Sequence, residues 1–280
     1  MEEIFKTIGN TPLIKIDGIW AKLENKNLTG SIKDRMAWYM VKKAIERGEL
    51  KKGDTIIEAT SGNTGISLAA ISAILGFKFI AVLPKSVKSI KPKIILSLGA
   101  KVVRISEETE EAATKEVEKL AKKFKKVWLP KQFENPDNVE CHYKTTGREI
   151  VEQIKKVDAF VAGIGTGGTL IGVAKALKEK YPKVKIFGVR PAEITHKIEG
   201  LIGKNESLPK IFDKSLVDEI IEIESQQAIK AAKFLIKRGV LVGISSGANF
   251  LVAKKLAKKY ENVVTVFPDN ADRYWNLLLK

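Results

Sequence analysis

The chain has 280 residues, 44% hydrophobic and 29% charged, an ordinary globular composition that excludes a disordered or fibrous protein. No apolar run approaches the roughly 20 residues that span a bilayer, and the start, MEEIFKTIGN, lacks the pattern of a secretory signal, so we expect a cytoplasmic protein without membrane contact. The net charge of +16 comes from dispersed lysines without interleaved aromatic residues, which favours a solvated, thermophile-like surface over a nucleic-acid-binding face.

Short β-branched runs alternate with longer amphipathic runs along the chain. The predicted strands are 12–16, 55–59, 78–83, 101–105, 158–163, 185–189 and 262–267. The predicted helices are 32–49, 63–76, 89–98, 107–125, 139–156, 168–180, 225–238 and 247–260. Nearly continuous apolar strands that alternate with helices predict an α/β fold, with parallel sheets covered by helices on both faces. The stretch 191–215 has no clear periodicity, and we expect a long functional loop there.

Lys33 is the sharpest candidate nucleophile, because it lies at the start of a helix that turns an apolar face inward. The positive end of a helix dipole and burial both favour the neutral amine, which is the form that attacks a carbonyl carbon. A solvated lysine is the plain alternative, with Asp34 and Arg35 beside it as pairing or capping residues.

Gly- and hydroxyl-rich turns follow several predicted strands, where open α/β sheets bind their ligands. The turn GIGTGGT at 163–169 suits an anion, because glycines let the backbone approach a phosphate at a helix N-terminus. Arg190 ends the next strand, so NADP is one candidate ligand and a single phosphate ester is another. The turn TSGNTG at 60–65 suits a carboxylate, although Ser61 or Asn63 acting as a plain helix cap is an equal alternative.

The chain has one cysteine and two histidines, so we expect no intrachain disulfide and no metal site. Cys141 lies beside His142, a spacing unlike that of metal ligands. We interpret Cys141 as a packed residue rather than a nucleophile.

Eight motifs occur in an order that is similar to that of a known family. They are IGNTPL at 8–13, LTGSIKDR at 28–35, TSGNTG at 60–65, QFxNP at 132–136, TTGREI at 145–150, GIGTGGT at 163–169, GISSGA at 243–248 and PDNADRY at 268–274. The chain thereby resembles O-acetylserine sulfhydrylases (cysteine synthases), in the cysteine synthase/cystathionine β-synthase family of fold-type II pyridoxal-phosphate enzymes. This resemblance displaces the NADP interpretation.

The resemblance implies a role for each of these residues. Lys33 matches the lysine that binds pyridoxal phosphate covalently and moves the substrate's Cα proton. The residues that match cofactor-binding positions are Lys33, Asn63, Gly165, Thr166, Gly167, Gly168, Thr169 and Ser245. The residues that match positions holding the substrate's α-carboxylate are Thr60, Ser61, Asn63, Thr64 and Gln132.

The family likeness also implies an architecture and a reaction. We expect two parallel-sheet domains with the cofactor between them: a smaller, mobile domain at 36–135, and a larger one from 1–35 and 136–280. The expected reaction replaces the β-substituent of O-acetylserine with sulfide through an α-aminoacrylate, giving L-cysteine. A homodimer is expected from the family alone.

The sequence departs from the family pattern at Arg190, at 195–201 and at 87–93. Lys88, Lys91, Lys93, Arg190 and Lys197 would suit a more anionic donor such as O-phosphoserine, or they belong to a basic surface. Cystathionine β-synthase and cysteine desulfhydrase activities stay open, because both use the same chemistry at the β-carbon.

Overall fold

The computed structural model describes residues 2–60, 62–85, 87, 89–107 and 110–279. Its strands are β1 (Leu13–Ile16), β2 (Ile19–Leu23), β3 (Thr55–Ala59), β4 (Lys78–Pro84), β5 (Lys101–Ile105), β6 (Val127–Trp128), β7 (Ala159–Gly163), β8 (Lys185–Pro191), β9 (Glu219–Ile223) and β10 (Val263–Phe267). Its α-helices are α1 (Lys33–Glu46), α2 (Asn63–Leu75), α3 (Lys91–Ser97), α4 (Glu110–Ala121), α5 (Pro136–His142), α6 (Arg148–Gln153), α7 (Gly168–Lys180), α8 (Ser225–Ile236), α9 (Ile244–Leu256) and α10 (Trp275–Leu278).

The strands form a six-stranded and a four-stranded sheet. The larger has the order β1-β2-β10-β7-β8-β9, and all its pairs are parallel except the β1–β2 hairpin. The smaller has the order β5-β4-β3-β6 and is parallel throughout. This is the α/β, two-sheet architecture that the alternating pattern predicted.

Each sheet is covered by helices on both faces, because alternate residues of a strand point to opposite sides. In β3, Ile56 packs into a core with α1, α2 and α3, whereas Ile57 packs into a second core with α4. In β7, Phe160 packs towards α7 and Val161 packs towards α8 and α9. Apolar cores on both faces of each sheet therefore hold each three-layer unit together.

All seven predicted strands are confirmed, and β2, β6 and β9 were not predicted. The helix predicted at 139–156 is wrong as one continuous element. It is α5, a π-helical turn at Tyr143–Gly147 and α6. It begins earlier because the Asn135 side chain accepts a hydrogen bond from the Asp137 amide, with Pro136 in the first turn.

Smaller differences concern helix ends and the domain division. The helix predicted at 247–260 begins three residues earlier, at Ile244, and the described part of the helix predicted at 107–125 is α4. The small sheet lies within the predicted domain 36–135, but the domain boundaries themselves stay a prediction. Among the described residues, no helix is long and apolar enough to cross a membrane.

Candidate active site

A cleft opens at the carboxyl ends of β7 and β10, with α2 facing it from the small-sheet side. Its lining residues are Ile32, Lys33, Asn63, Gly163, Gly165, Thr166, Gly167, Thr169, Glu199, Gly200, Leu201, Ser245, Val266, Pro268 and Asp269. Every predicted cofactor-binding residue except Gly168 lines this cleft, and Gly168 follows directly as the first residue of α7. The structure thus brings together motifs from four distant parts of the sequence.

Lys33 is half-buried at the start of α1, and the end of β10 fixes its position. The Ile32 amide donates to the Pro268 carbonyl at 2.8 Å, and Ser31 forms a β-bridge with Asp269. Asp34 accepts hydrogen bonds from Thr29 and from the Ser67 hydroxyl, the latter at 2.6 Å. The backbone therefore places Lys33 in the cleft, while Asp34 ties α1 to α2.

Arg35 belongs to a buried cluster of charged side chains behind α1. Its guanidinium pairs with Glu24 at 2.6 Å and with Glu149 at 2.5 Å, and Lys22 pairs with Glu149 at 2.7 Å. Burial alone would raise the pKa of Glu149, but the hydrogen bonds and charges of Arg35 and Lys22 lower it to about 2. Arg35 is thus a pairing residue, as one sequence interpretation had it, whereas Asp34 accepts hydrogen bonds from Thr29 and Ser67.

The glycine loop, residues 163–169, leaves no room for a side chain at its glycine positions. A Cβ on Gly165 would lie 2.2 Å from the Gly200 carbonyl oxygen, and a Cβ on Gly168 would lie 2.0 Å from Asn138 Oδ1. Gly167 has a φ of +82°, which only glycine adopts readily. The loop therefore ends with its backbone at the N-terminus of a 13-residue helix, a geometry that suits a phosphate.

Two residues that were not predicted support the glycine loop from behind. The buried Asn138 amide donates to the Gln132 carbonyl at 2.9 Å and to the Thr166 hydroxyl at 3.0 Å. His142 Nε2 lies 3.2 Å from the Thr169 hydroxyl. Burial, reinforced by the charges of Arg35 and Lys33, lowers the pKa of His142 well below its usual value, so the ring is neutral. The only sequence signal for Asn138 was its place just after QFxNP.

The TSGNTG loop, residues 60–65, contributes Asn63 to the opposite side of the cleft. The Thr60 hydroxyl accepts hydrogen bonds from the amides of Gly62 and Gly65, at 3.3 and 3.1 Å. Thr64 donates to the Gln132 side chain at 2.7 Å. These two threonines and Gln132 meet beside the cleft, while Ser61 lies outside the described residues.

Asn63 does not cap α2, so that alternative is wrong for this residue. Its amide donates to Asp269 at 2.7 Å, and its carbonyl oxygen accepts from Arg273. Asp269 also accepts from the Tyr274 hydroxyl at 2.5 Å. The motif PDNADRY therefore contributes the partners that hold Asn63 at the cleft.

The remaining predicted residues divide into those near the cleft and those away from it. Ser245 lies in the first turn of α9 and lines the cleft. Arg190 pairs with Glu222 at 2.8 Å and does not line the cleft, so it is no NADP-phosphate ligand there. Lys93 and Lys197 are exposed, Lys91 is buried next to the cleft, and Lys88 lies outside the described residues.

Cys141 is buried within the core of the small-sheet side. Its Sγ lies 3.9 Å from the Thr145 hydroxyl, and burial raises its pKa to about 12. A thiol held in its protonated form is a poor nucleophile. The interpretation of Cys141 as a packed residue is confirmed.

Comparison with known proteins shows the family to which the chain belongs. The sequence pattern of a family described as pyridoxal-phosphate dependent enzyme matches residues 4–269. The chain belongs to this family. It is 41% identical to cysteine synthase B of Campylobacter jejuni over 290 residues, covering 98% of this chain and 96% of that protein.

Two solved structures of similar proteins show the fold-type II arrangement of this family. One is a hydrogen sulfide-producing enzyme from Fusobacterium nucleatum, with a TM-score of 0.94 and 38% identity, covering 100% of this chain and 91% of that one. The other is O-acetylserine sulfhydrylase isoform 3 from Entamoeba histolytica, with a TM-score of 0.91 and 35% identity, covering 99% and 91%. The sequence resemblance to the cysteine synthase family is thereby confirmed.

Proposed function

We propose that this protein is a pyridoxal-phosphate-dependent cysteine synthase, which replaces the acetoxy group of O-acetylserine with sulfide. The observation that carries the proposal is a single cleft lined by Lys33, the glycine loop, Asn63 and Ser245. A helix N-terminus that can bind a phosphate lies in this cleft together with an amine that can bind an aldehyde. Few cofactors other than pyridoxal phosphate require that pair of groups.

The residues of the cleft fit this cofactor. Gly165, Thr166, Gly167, Gly168 and Thr169 would hold its phosphate, because the first amides of α7 have no carbonyl partner within the helix. Lys33 would bind its aldehyde carbon, and Ser245 would face its ring nitrogen. Asn63, held by Asp269 and Arg273, would contact the ring oxygen.

The TSGNTG loop would bind the substrate's α-carboxylate, through Thr60, Ser61, Asn63, Thr64 and Gln132. The Thr64–Gln132 hydrogen bond and the bond from Gln132 to the Ala59 carbonyl at 3.2 Å orient these donors. Binding the carboxylate here would direct the Cα–H bond of the amino acid towards Lys33. Lys33 would then remove that proton and later return it.

The bound cofactor supplies the electron sink that lets the β-substituent leave, and the protein's own residues fix the geometry. A serine near the ring nitrogen, unlike an aspartate, cannot hold a full proton there. This favours elimination at the β-carbon over reactions that need a stronger electron sink. Replacing Ser245 with Asp would for that reason slow turnover.

The test is a set of four reactions run on one preparation. Cysteine formation is measured from O-acetylserine with sulfide and from O-phosphoserine with sulfide. Cystathionine formation is measured from serine with homocysteine, and sulfide release from cysteine. We expect O-acetylserine with sulfide to be fastest. A protein that only releases sulfide from cysteine would contradict the proposal and support a desulfhydrase.

Lys33→Ala should reduce the fastest of these reactions by roughly 10³-fold or more, because it removes both the covalent attachment and the proton acceptor. Lys42→Ala is the matched control, because Lys42 lies on the same helix with an exposed ion pair to Glu46. The control should keep the wild-type rate. Equal rates in Lys33→Ala and wild type would refute the assignment.

The homodimer and the cytoplasmic location remain predictions from the resemblance and the composition.

A further inference from the structure

Lys91, the first residue of α3, is a buried cation beside the cleft. Only 2% of its side chain is exposed. Its Nζ lies 2.5 Å from Glu199 Oε2, 3.2 Å from the Tyr274 hydroxyl and 4.5 Å from the Tyr274 ring centroid. A buried ammonium must keep an anionic partner, because leaving it unpaired is strongly unfavourable.

The ammonium of Lys91 lies directly against the TSGNTG loop. Gly62 has no side chain, and a Cβ at that position would lie 3.8 Å from Lys91 Nζ. Gly62 belongs to the loop to which the proposed function assigns the α-carboxylate of the substrate. From its sequence, Lys91 was expected only to be one of several lysines that suit an anionic donor or belong to a basic surface.

Glu199, the partner of Lys91, lines the cleft. Its side chain is 41% exposed, whereas the residues on either side of it are packed in place. Ile198 is fully buried, and the Gly200 carbonyl packs against Gly165. The Glu199 side chain therefore has solvent beside it, into which it can turn away from Lys91.

We infer that Lys91 is a substrate-binding residue, an inference that rests on the proposed function. Its ammonium is the counter-charge for the α-carboxylate of the incoming amino acid. The Glu199 carboxylate holds that place in the free protein and is displaced by the substrate. One carboxylate thereby replaces another, so the buried cation stays paired throughout, while Tyr274 keeps it in position.

The test uses the cofactor-loaded enzyme and L-alanine, which has the α-carboxylate but no leaving group. Its Kd is read from the change in the cofactor's visible absorption, and kcat and KM are measured with O-acetylserine. Lys91→Gln should weaken both Kd and KM by roughly 10- to 100-fold, as expected for a lost hydrogen bond to a charged group. The kcat should change much less.

Glu199→Gln should have the opposite effect and tighten the Kd of L-alanine several-fold, because the competing carboxylate is gone. Lys93→Gln is the matched control, since Lys93 lies on the same helix, carries the same charge and is exposed. It should behave as the wild type. Lys91→Arg keeps the charge and should recover part of the affinity that Lys91→Gln loses.

Three results would overturn the inference. The first is an unchanged Kd in Lys91→Gln, and the second is a weaker Kd in Glu199→Gln, which would make the ion pair a structural tie. The third is a loss that appears with O-phosphoserine but not with L-alanine, which would assign Lys91 to the leaving group.

The melting temperature and the cofactor spectrum of each variant separate a folding defect from a binding defect. If Lys91→Gln does not fold, the sign of the Glu199→Gln effect decides. A wild-type protein that shows no cofactor band would refute the proposed function itself. If only the role of Lys91 is wrong, the wild-type protein still shows that band.

Discussion

The two sides of the cleft are built differently. The glycine loop is fixed by close contacts of its own backbone, against Gly200 on one side and Asn138 on the other. The TSGNTG loop is connected to its surroundings mostly by side-chain hydrogen bonds and by the nearby Lys91–Glu199 ion pair. Backbone contacts cannot be exchanged, whereas polar side chains can exchange one partner for another. This difference fits a permanent ligand on one side and a changing ligand on the other.

The largest loss of stability is expected at the buried charge cluster, where Glu149 of α6 pairs with Arg35 of α1 and with Lys22 of β2. Glu149→Gln leaves Arg35 and Lys22 with Glu24 as the remaining carboxylate in the cluster. Breaking a buried pair in this way costs about 3–5 kcal/mol of unfolding free energy. Urea unfolding of the wild type and Glu149→Gln at pH 7 measures this difference in unfolding free energy.

Glu179→Gln is the control for this prediction, because Glu179 pairs with Arg148 where both side chains are about half exposed. Its loss should cost less than about 1 kcal/mol. Since the folded-state pKa of Glu149 is depressed to about 2, its stabilisation should be present above about pH 5 and disappear as the pH falls towards 2. Equal costs for the two variants would contradict the description of this cluster as a set of stabilising buried ion pairs.

Adding one methyl group to each loop tests the comparison directly. Gly165→Ala places a Cβ 2.2 Å from a backbone oxygen, and should cost about 1–3 kcal/mol of stability. It should also weaken pyridoxal phosphate binding at least roughly tenfold. Gly62→Ala places its Cβ at an ordinary 3.7 Å from the nearest Lys91 carbon, and the φ of −149° lies outside the left-handed region that favours glycine.

Gly62→Ala should therefore cost clearly less stability than Gly165→Ala and leave the cofactor affinity unchanged. Thermal melting and cofactor titration of the two variants decide the matter. Similar losses in both variants would mean that the two loops are equally constrained.

The smallest effect concerns His142, whose neutral ring contacts Thr169 in the glycine loop. Because burial depresses its folded-state pKa below 6.5, the unfolded chain binds a proton that the folded chain does not. Stability should fall as the pH decreases below about 6.5, by up to roughly 1.4 kcal/mol per pH unit. Urea unfolding of cofactor-free protein between pH 5.5 and 7.5 should show this slope, and His142→Gln should have a shallower one. Identical slopes in the wild type and His142→Gln would mean that a different group takes up the proton.

The sequence predicted best what depends on neighbouring residues. The strand β3 (TIIEA) is an apolar run, and GIGTGGT is a local pattern of glycines and threonines, so both were predicted. The strand β2 (IWAKL) was missed because its buried Lys22 looks like a surface residue. Lys22 is tolerated because Glu149, far away in the sequence, pairs with it, and because the Thr11 carbonyl and the Gln153 side chain accept hydrogen bonds from its ammonium.

The same reason explains what was missed at the site. Lys33 is identified by its own motif, whereas Lys91 acquires its position from Glu199 and Tyr274, more than 100 residues later. Asn138 and His142 matter because α5 packs on α7, which no local pattern reveals. A sequence motif therefore indicates which groups bind a ligand, but the groups that hold them in place emerge only from the fold.

The central claim is that Lys33 and the glycine loop bind one molecule of pyridoxal phosphate. The most direct measurement is the visible absorption spectrum of the purified protein, before and after borohydride reduction, followed by peptide mapping. We predict a visible band, and a reduced pyridoxyl group on Lys33 that is absent from Lys33→Ala. A protein that takes up no added pyridoxal phosphate, or that carries the label on a different lysine, would contradict the account.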